Sequence, residues 1–175
     1  MSVSSHLNPE PERRLWIIHG NMRRAIDRTD IKIGALTAFA AAQMAFIRAT
    51  APGTPLAHSA IVLLSAVLPI GLAAFSPFIE VQRQLPFLDP GMDKRSAGDC
   101  LIAAYDIAKY PQIELVIRLD KYLGGGVTAT PYYEDIVGQI VASARVATRK
   151  RRFFLAASAL TAIVQLGLFW QLLLK

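Results

Sequence analysis

Few side chains in this sequence have the types and spacing that catalysis or metal binding requires. The three histidines are far apart and match no metal-ligand or nucleophile pattern, and Cys100 is the single cysteine. Gly124–Gly126 lacks the Lys-Ser/Thr pair of a phosphate-binding P-loop. Glu134 and Asp135 are adjacent, and adjacent helical positions do not face each other. We therefore expect no catalytic residues, no metal site and no cofactor.

The densest charge is a basic cluster made of Arg145 and the run Arg149–Arg152. Arg151 and Arg152 directly precede a long uncharged stretch, which favours contact with anionic lipid headgroups. Arg145 and Arg149 lie further from that stretch, and binding of a small phosphate-bearing ligand is an alternative there. Because the cluster lacks a face of stacking aromatic residues, we do not expect nucleic acid as a partner.

A second polar group, Tyr105, Asp106, Lys109 and Tyr110, lies within one short segment. One interpretation is an i,i+3 ion pair of Asp106 with Lys109 at the surface. The alternative is that tyrosine stacking and the charges together hold a nucleobase and its phosphate. The spacing leaves both interpretations open.

The elements that must position these side chains include three apolar stretches. The chain has 175 residues and is 53% hydrophobic, and a helix needs about 20 mostly apolar residues to cross a bilayer. We predict three transmembrane spans at Ile33–Ile47, Leu56–Ile79 and Phe153–Leu174. The first two are joined by a turn at Ala49–Pro55, since two prolines and a glycine break a helix there.

Small residues in the first span and Pro69 in the second predict different structural features for the two helices. The first is rich in glycine and alanine, which predicts close helix packing, with pore lining as the alternative. Pro69 and Gly71 predict a kink in the second.

The distribution of charge predicts the orientation of the spans. With the N-terminus in the cytoplasm, residues 1–32 and 80–152 are cytoplasmic and hold 17 of the 19 lysines and arginines. Only Arg48 and Lys175 fall on the other side. The positive-inside rule therefore favours a multi-pass membrane protein with its N-terminus in the cytoplasm.

The cytoplasmic parts are predicted to be helical extensions of the spans. Leu15, Ile18, Met22 and Ile26 recur at helical spacing before the first span, and a similar pattern from Tyr133 precedes the third. Each pattern runs into its span without a strong breaker, which predicts helices of about 40 residues.

The central segment is predicted to hold two shorter helices. A helix is expected to begin near Ser96 or Asp99, which are good N-cap residues, and to end at Pro111. Helix is also favoured for Ile113–Leu123, and Gly124–Gly126 is expected to be a hinge or loop.

The fold class is therefore an all-α membrane protein with three transmembrane helices and a cytoplasmic helical bundle. Its regions are a cytoplasmic amphipathic helix (1–32), a two-span hairpin (33–79), a cytoplasmic sensor region (80–152) and a third transmembrane helix (153–175). About 70 cytoplasmic residues make a marginal core alone. We therefore expect a homo-oligomer in contact with membrane lipid.

Three stretches resemble the transmembrane effector family of Pycsar anti-phage systems. An Asp-x-Lys pair, Asp30 and Lys32, leads into the first span, and a Tyr-Asp-Ile-Ala-Lys stretch begins at Tyr105. The third stretch is a helix before the last span that carries the residues typical of the family: Gln139, Ile140, Val146, Ala147, Lys150 and Leu155. The resemblance covers residues 20–174, with an alanine-rich first span and Tyr105 as departures from the family pattern.

The resemblance implies a defence role. A partner cyclase would make a cyclic pyrimidine mononucleotide, cCMP or cUMP, upon infection. The effector would bind it on the cytoplasmic side and impair the inner membrane, causing abortive infection. The alternative function is a structural or assembly membrane protein whose cytoplasmic bundle docks a protein partner.

For the first function we predict a ligand pocket. Its residues come from the Asp-x-Lys pair, the central segment and the basic cluster: Asp30, Lys32, Tyr105, Asp106, Lys109, Arg145, Arg149 and Lys150.

Overall fold

A computed structural model describes residues 10–50, 53–75, 89–96, 98–123 and 130–173. These residues form five α-helices and a short 3-10 turn, and none of them lies in a β-strand. The helices are α1 (Glu10–Thr50), α2 (Pro55–Phe75), α3 (Ala104–Ile107), α4 (Gln112–Leu123) and α5 (Pro131–Leu173), with the 3-10 turn at Pro90–Met92 before α3.

Three of these helices are long and apolar enough to cross a membrane. They are α1, α2 and α5, over Arg13–Thr50, Pro55–Phe75 and Pro131–Trp170. The all-α membrane fold is thereby confirmed, and so is the prediction that the first and third spans continue into helical arms.

The turn between the first two spans is confirmed in part. Gly53 has φ of +87°, and the Thr54 hydroxyl accepts a hydrogen bond from the Ala57 N–H at the start of α2. Helix α2 continues through Pro69, the residue predicted to kink it. Residues 51–52, the last residues of the second predicted span (76–79) and Gly124–Gly126 lie outside the described residues.

The chain divides into two compact units. Unit 1 comprises Met1–Asp27 and Val81–Arg149, and unit 2 comprises Arg28–Glu80 and Lys150–Lys175. Helices α1 and α5 contribute residues to both.

The core of unit 1 contains most of the periodic apolar residues predicted from the two arms, while Ile26 is half-buried and lies outside it. Side chains from α1, α3, α4 and α5, and one from the segment between α3 and α4, are buried together: Leu15, Ile18, Met22, Ile107, Tyr110, Leu115, Leu119, Tyr133, Ile136, Val137, Ile140 and Ala144. The 3.6-residue period therefore identified the packed faces of both arms correctly.

Unit 2 has a separate apolar core. It contains small and branched residues of α1, α2 and α5: Ala40, Ile47, Ala57, Ala60, Leu64, Val67, Ala157 and Val164. Small residues let helices approach closely in lipid, and Gly71 on α2 lies directly against Thr37 on α1.

The central helix predicted from Ser96 or Asp99 to Pro111 is wrong in its extent, because among the described residues 96 and 98–111 only Ala104–Ile107 is α-helical. The Asp99 carboxylate accepts hydrogen bonds from the Ser96 N–H and the Tyr110 hydroxyl. Such side-chain bonds offer the backbone an alternative to a helix. The helix predicted at Ile113–Leu123 is confirmed as α4.

Candidate functional site

A buried ion-pair network lies in the centre of the 95–110 segment of unit 1. The Lys109 ammonium is 3.1 Å from Asp99 Oδ1 and 2.7 Å from Asp106 Oδ1, and the Lys109 side chain is only 7% exposed. The predicted Asp106–Lys109 ion pair is therefore present, but it is not at the surface. Asp99 is a second partner that sequence reasoning had assigned only to a helix cap.

Hydrogen bonds from backbone N–H groups and from the Tyr110 hydroxyl tie this network to its own segment. Asp106 Oδ2 accepts from the Cys100 N–H at 3.1 Å, and the Tyr110 hydroxyl donates to Asp99 Oδ2 at 2.7 Å. Bonds from the Ser96 N–H and from the Tyr110 hydroxyl lower the pKa of Asp99 to about 2. The bond to Asp106 raises the pKa of Lys109 above its usual value. Asp99 and Lys109 therefore keep their charges at neutral pH.

Aromatic and guanidinium groups surround the network. The Lys109 ammonium lies 4.6 Å from the centroid of the Tyr105 ring, which is 41% exposed. Arg95 and Arg118 lie 5.9 Å and 4.6 Å from the centroid of the buried Tyr110 ring. Burial raises the pKa of Tyr110. Tyr105 is therefore the aromatic ring of this group that remains accessible to a ligand.

Side chains of α5 join the same segment. Arg145 donates to the carbonyl oxygens of Ala108 and Tyr110 at 3.4 Å and 3.3 Å. Thr148 lies within 3.4 Å of the Ala104 carbonyl oxygen. The two Arg145 bonds satisfy carbonyl groups that follow the last residue of α3, whereas the Ala104 carbonyl also accepts from the Ala108 N–H. Four predicted site residues are thus brought together in unit 1: Tyr105, Asp106, Lys109 and Arg145.

The remaining predicted residues lie elsewhere. Arg149 is in unit 1 and is buried, with 6% of its surface exposed. Asp30 and Lys150 are in unit 2 and form an ion pair at 2.6 Å. Lys32 lies 6.0 Å from the centroid of the Phe154 ring in the same unit.

A groove of about 420 Å³ in unit 1 was not found from the sequence. It is lined by Arg14, Ile17, Ile18 and Asn21 of α1, together with Ile102 and Tyr122. The four α1 residues follow the i, i+3, i+4, i+7 pattern of one helix face. That spacing was the available signal, since Arg14 and Asn21 flank two apolar residues of the amphipathic arm.

The groove combines an apolar surface with a few polar groups. A few polar groups above an apolar surface are typical of ligand pockets. Ile18 is buried beneath the groove, while Ile17, Ile102 and the Tyr122 ring are 55%, 43% and 56% exposed. Arg14 supplies a permanent positive charge and Asn21 an amide that both donates and accepts. The described residues contain no group of three His, Cys, Asp or Glu that could hold a metal ion.

The fold therefore defines a helical membrane protein with three candidate spans and two compact units, each with its own apolar core. The Pycsar effector protein domain matches residues 14–174, and the chain belongs to this family of transmembrane effectors. Membership supports a role as an anti-phage defence effector and distinguishes the chain from the cyclases of such systems. Comparison with curated proteins finds no match, and neither does comparison with solved structures.

Proposed function

We propose that this effector binds a cyclic pyrimidine mononucleotide, cCMP or cUMP, through unit 1 and then impairs the bacterial inner membrane. The signal would come from a partner cyclase during phage infection, and the membrane lesion would end the infection with the cell. Family membership over residues 14–174 supports the effector role.

The observation that carries nucleotide binding is the groove beside Arg14, Asn21 and Tyr122. Its volume of about 420 Å³ suits a mononucleotide. The Tyr122 ring can stack on a flat base, since every base has a π-face. Arg14 can bind phosphate through its guanidinium, and the Asn21 amide can pair with the base edge.

The ligand contacts predicted from the sequence are an alternative to the groove and stay a prediction. In unit 1 these are Tyr105, Asp106, Lys109, Arg145 and Arg149. Arg145 and Lys109 already make the internal bonds described above, and two carboxylates beside Lys109 disfavour a phosphate by repulsion. These facts favour the groove as the ligand site. We propose that the network positions the segment that carries Ile102.

The three unit 2 residues of that prediction, Asp30, Lys32 and Lys150, have a different proposed role. Asp30 and Lys150 are paired with each other, and Lys32 lies against an aromatic ring. We propose that they anchor the start of the first and third spans, where charged groups meet lipid headgroups.

The proposed orientation places unit 1 in the cytoplasm, where the nucleotide is made. Unit 1 and the residues flanking the spans carry most of the lysines and arginines, which the positive-inside rule assigns to that side. Helix α1 contains both groove residues and the first span, so one helix serves both ligand binding and membrane crossing. Assembly into a homo-oligomer is part of this proposal.

Binding is tested by isothermal titration of the full-length protein in detergent with cCMP, cUMP and cAMP. Arg14→Gln and Tyr122→Leu should each weaken pyrimidine binding at least tenfold. The matched controls are Arg13→Gln, on an exposed neighbouring position, and Arg145→Ala for the sequence-predicted contacts. Unchanged nucleotide affinity in both groove variants would refute the groove as the ligand site. Loss of affinity in Arg145→Ala alone would instead support the ligand site predicted from the sequence.

The second candidate function, docking of a protein partner, has one observation in its favour. Ile113 and Ile117 lie one turn apart on α4 and are 79% and 66% exposed. Absence of any cyclic nucleotide binding by the wild-type protein, together with harmless overexpression, would favour this function over the first.

A further inference from the structure

Two half-buried glutamines of unit 2, each with a buried amide atom, lie within stretches predicted to span the membrane. The side-chain oxygen of Gln43 on α1 and the side-chain nitrogen of Gln165 on α5 are fully buried. Neither atom has a hydrogen-bond partner among the residues that the structure describes. A buried polar group without a partner is costly in an apolar medium, so such atoms call for a ligand.

The packing of α1 and α5 sets the two glutamines at the same depth. Lys150 pairs with Asp30, which lies 120 residues earlier in the sequence. Phe154 lies beside Lys32 at nearly the same separation in sequence. Residue numbers rise together along both helices, so the helices run in parallel. Carrying this register along the two helices places Gln165 level with Gln43.

Both glutamines also lie on the buried faces of their helices. Gln43 comes three residues after Ala40 and four before Ile47, and both of these are buried. Gln165 comes four residues after Thr161, which is buried and donates its hydroxyl to the Ala157 carbonyl oxygen. Residues three and four apart share a helix face, so the two amides belong to the interior of unit 2.

We propose that Gln43 and Gln165 form a hydration site inside the membrane unit, at which its apolar barrier is interrupted. One unpartnered atom is an acceptor and the other a donor, and a buried water commonly bridges such groups. The Thr161 oxygen, one turn before Gln165, can accept a further hydrogen bond from that water. In the active effector, this site is the polar constriction through which ions cross.

This inference rests on the proposed function for its ion pathway but not for its hydration site, so two measurements separate them. The first is the thermal stability in detergent of Gln43→Leu, Gln165→Leu and the double variant. Because one leucine leaves the other amide without its water-bridged partner, each single variant should have a lower Tm than the wild type, and the double variant should recover at least the wild-type Tm. A double variant with a Tm below that of both single variants would show that the two amides do not share one site, and would overturn the hydration site.

The second measurement is ion leak from liposomes of neutral and anionic phospholipid, containing the full-length protein, upon addition of cCMP or cUMP. The double leucine variant should lose at least nine-tenths of the leak while keeping wild-type nucleotide affinity. Gln165→Glu should raise the ratio of cation to anion permeability at least threefold. The control Ile163→Leu, at nearly the same depth but 57% exposed, should change neither quantity.

The outcomes distinguish the two proposals. Wild-type leak in the double leucine variant and an unchanged permeability ratio in Gln165→Glu would overturn the pathway while leaving nucleotide binding intact. Failure of the wild-type protein to bind nucleotide or to leak would instead refute the proposed function, with the Tm of the leucine variants still testing the hydration site.

Discussion

Substitution of Gly71 by alanine tests the packing of the first two spans most sharply. A Cβ added at Gly71 would lie 2.5 Å from the Thr37 hydroxyl oxygen of α1. Ordinary contacts of this kind are about 1 Å longer. Either α1 and α2 must move apart, or Thr37 must change its rotamer.

Both responses cost free energy. If the helices move apart to fit the added methyl group, the overpacking typically costs about 1–3 kcal/mol. Rotating Thr37 breaks its 2.8 Å hydrogen bond to the Ile33 carbonyl oxygen, a loss of about 0.5–1.5 kcal/mol. Alanine also gains up to about 1 kcal/mol of helix propensity over glycine.

Comparison with glycine-to-alanine variants at uncrowded positions cancels the gain in helix propensity, because all of these variants share it. A Cβ added at Gly34 or Gly167, in the same unit, meets nothing within 4 Å. Gly71→Ala should therefore be about 1–3 kcal/mol less stable than Gly34→Ala or Gly167→Ala. Each kcal/mol corresponds to about 2–4 °C in Tm for a chain of this size.

The assay is thermal unfolding of the full-length protein in one detergent, followed by circular dichroism. The double variant Thr37→Ala, Gly71→Ala should recover the Tm of the matched controls, since it removes the clashing hydroxyl. Equal Tm values for Gly71→Ala and both controls would refute the close packing of α1 against α2.

Three further predictions concern unit 1. Leu115→Ala should destabilise the protein by about 2–5 kcal/mol, because Leu115 is fully buried. Ile113→Ala should cost less than about 0.5 kcal/mol, because Ile113 is 79% exposed. Equal Tm values of the two variants in detergent would contradict the packing of α4. The pKa of Asp99 is lowered to about 2, so its stabilising contribution is present above a pH of about 4 and is lost as the pH falls toward 2. The substitution Asp99→Asn should flatten the dependence of Tm on pH in that window, and an unchanged acid slope would count against the network. Lys109→Met should lower Tm in detergent at neutral pH by leaving two carboxylates beside each other, and a Tm equal to wild type would contradict the ion pairs.

The sequence predicted the long elements well because their signals are periodic and repeated. Charge-free stretches indicated the spans, and the 3.6-residue recurrence of apolar residues indicated the buried faces of both arms. No breaker lies between arm and span, so each pair forms one helix.

The central segment was harder to predict because its structure depends on contacts between residues distant in sequence. Asp99 looks like an N-cap in isolation, but its partners include Lys109 and Tyr110, ten and eleven residues later. Arg145 reaches carbonyl groups more than thirty residues away. Local propensity carries no information about such bonds.

The groove could likewise be predicted only in part from the sequence. The α1 residues Arg14 and Asn21 could be placed on one face from their spacing alone. The addition of Ile102 and Tyr122, which complete the groove, comes from tertiary packing in unit 1.

The central claim is that a cyclic pyrimidine nucleotide switches this protein to a state that impairs a membrane. The most direct test is release of a trapped ion from sealed liposomes containing the purified full-length protein, with cCMP, cUMP or cAMP added outside and inside. We predict release that requires cCMP or cUMP and that is lost in Arg14→Gln and Tyr122→Leu. Equal release with and without the pyrimidine nucleotides, or no release with any of them, would contradict the account.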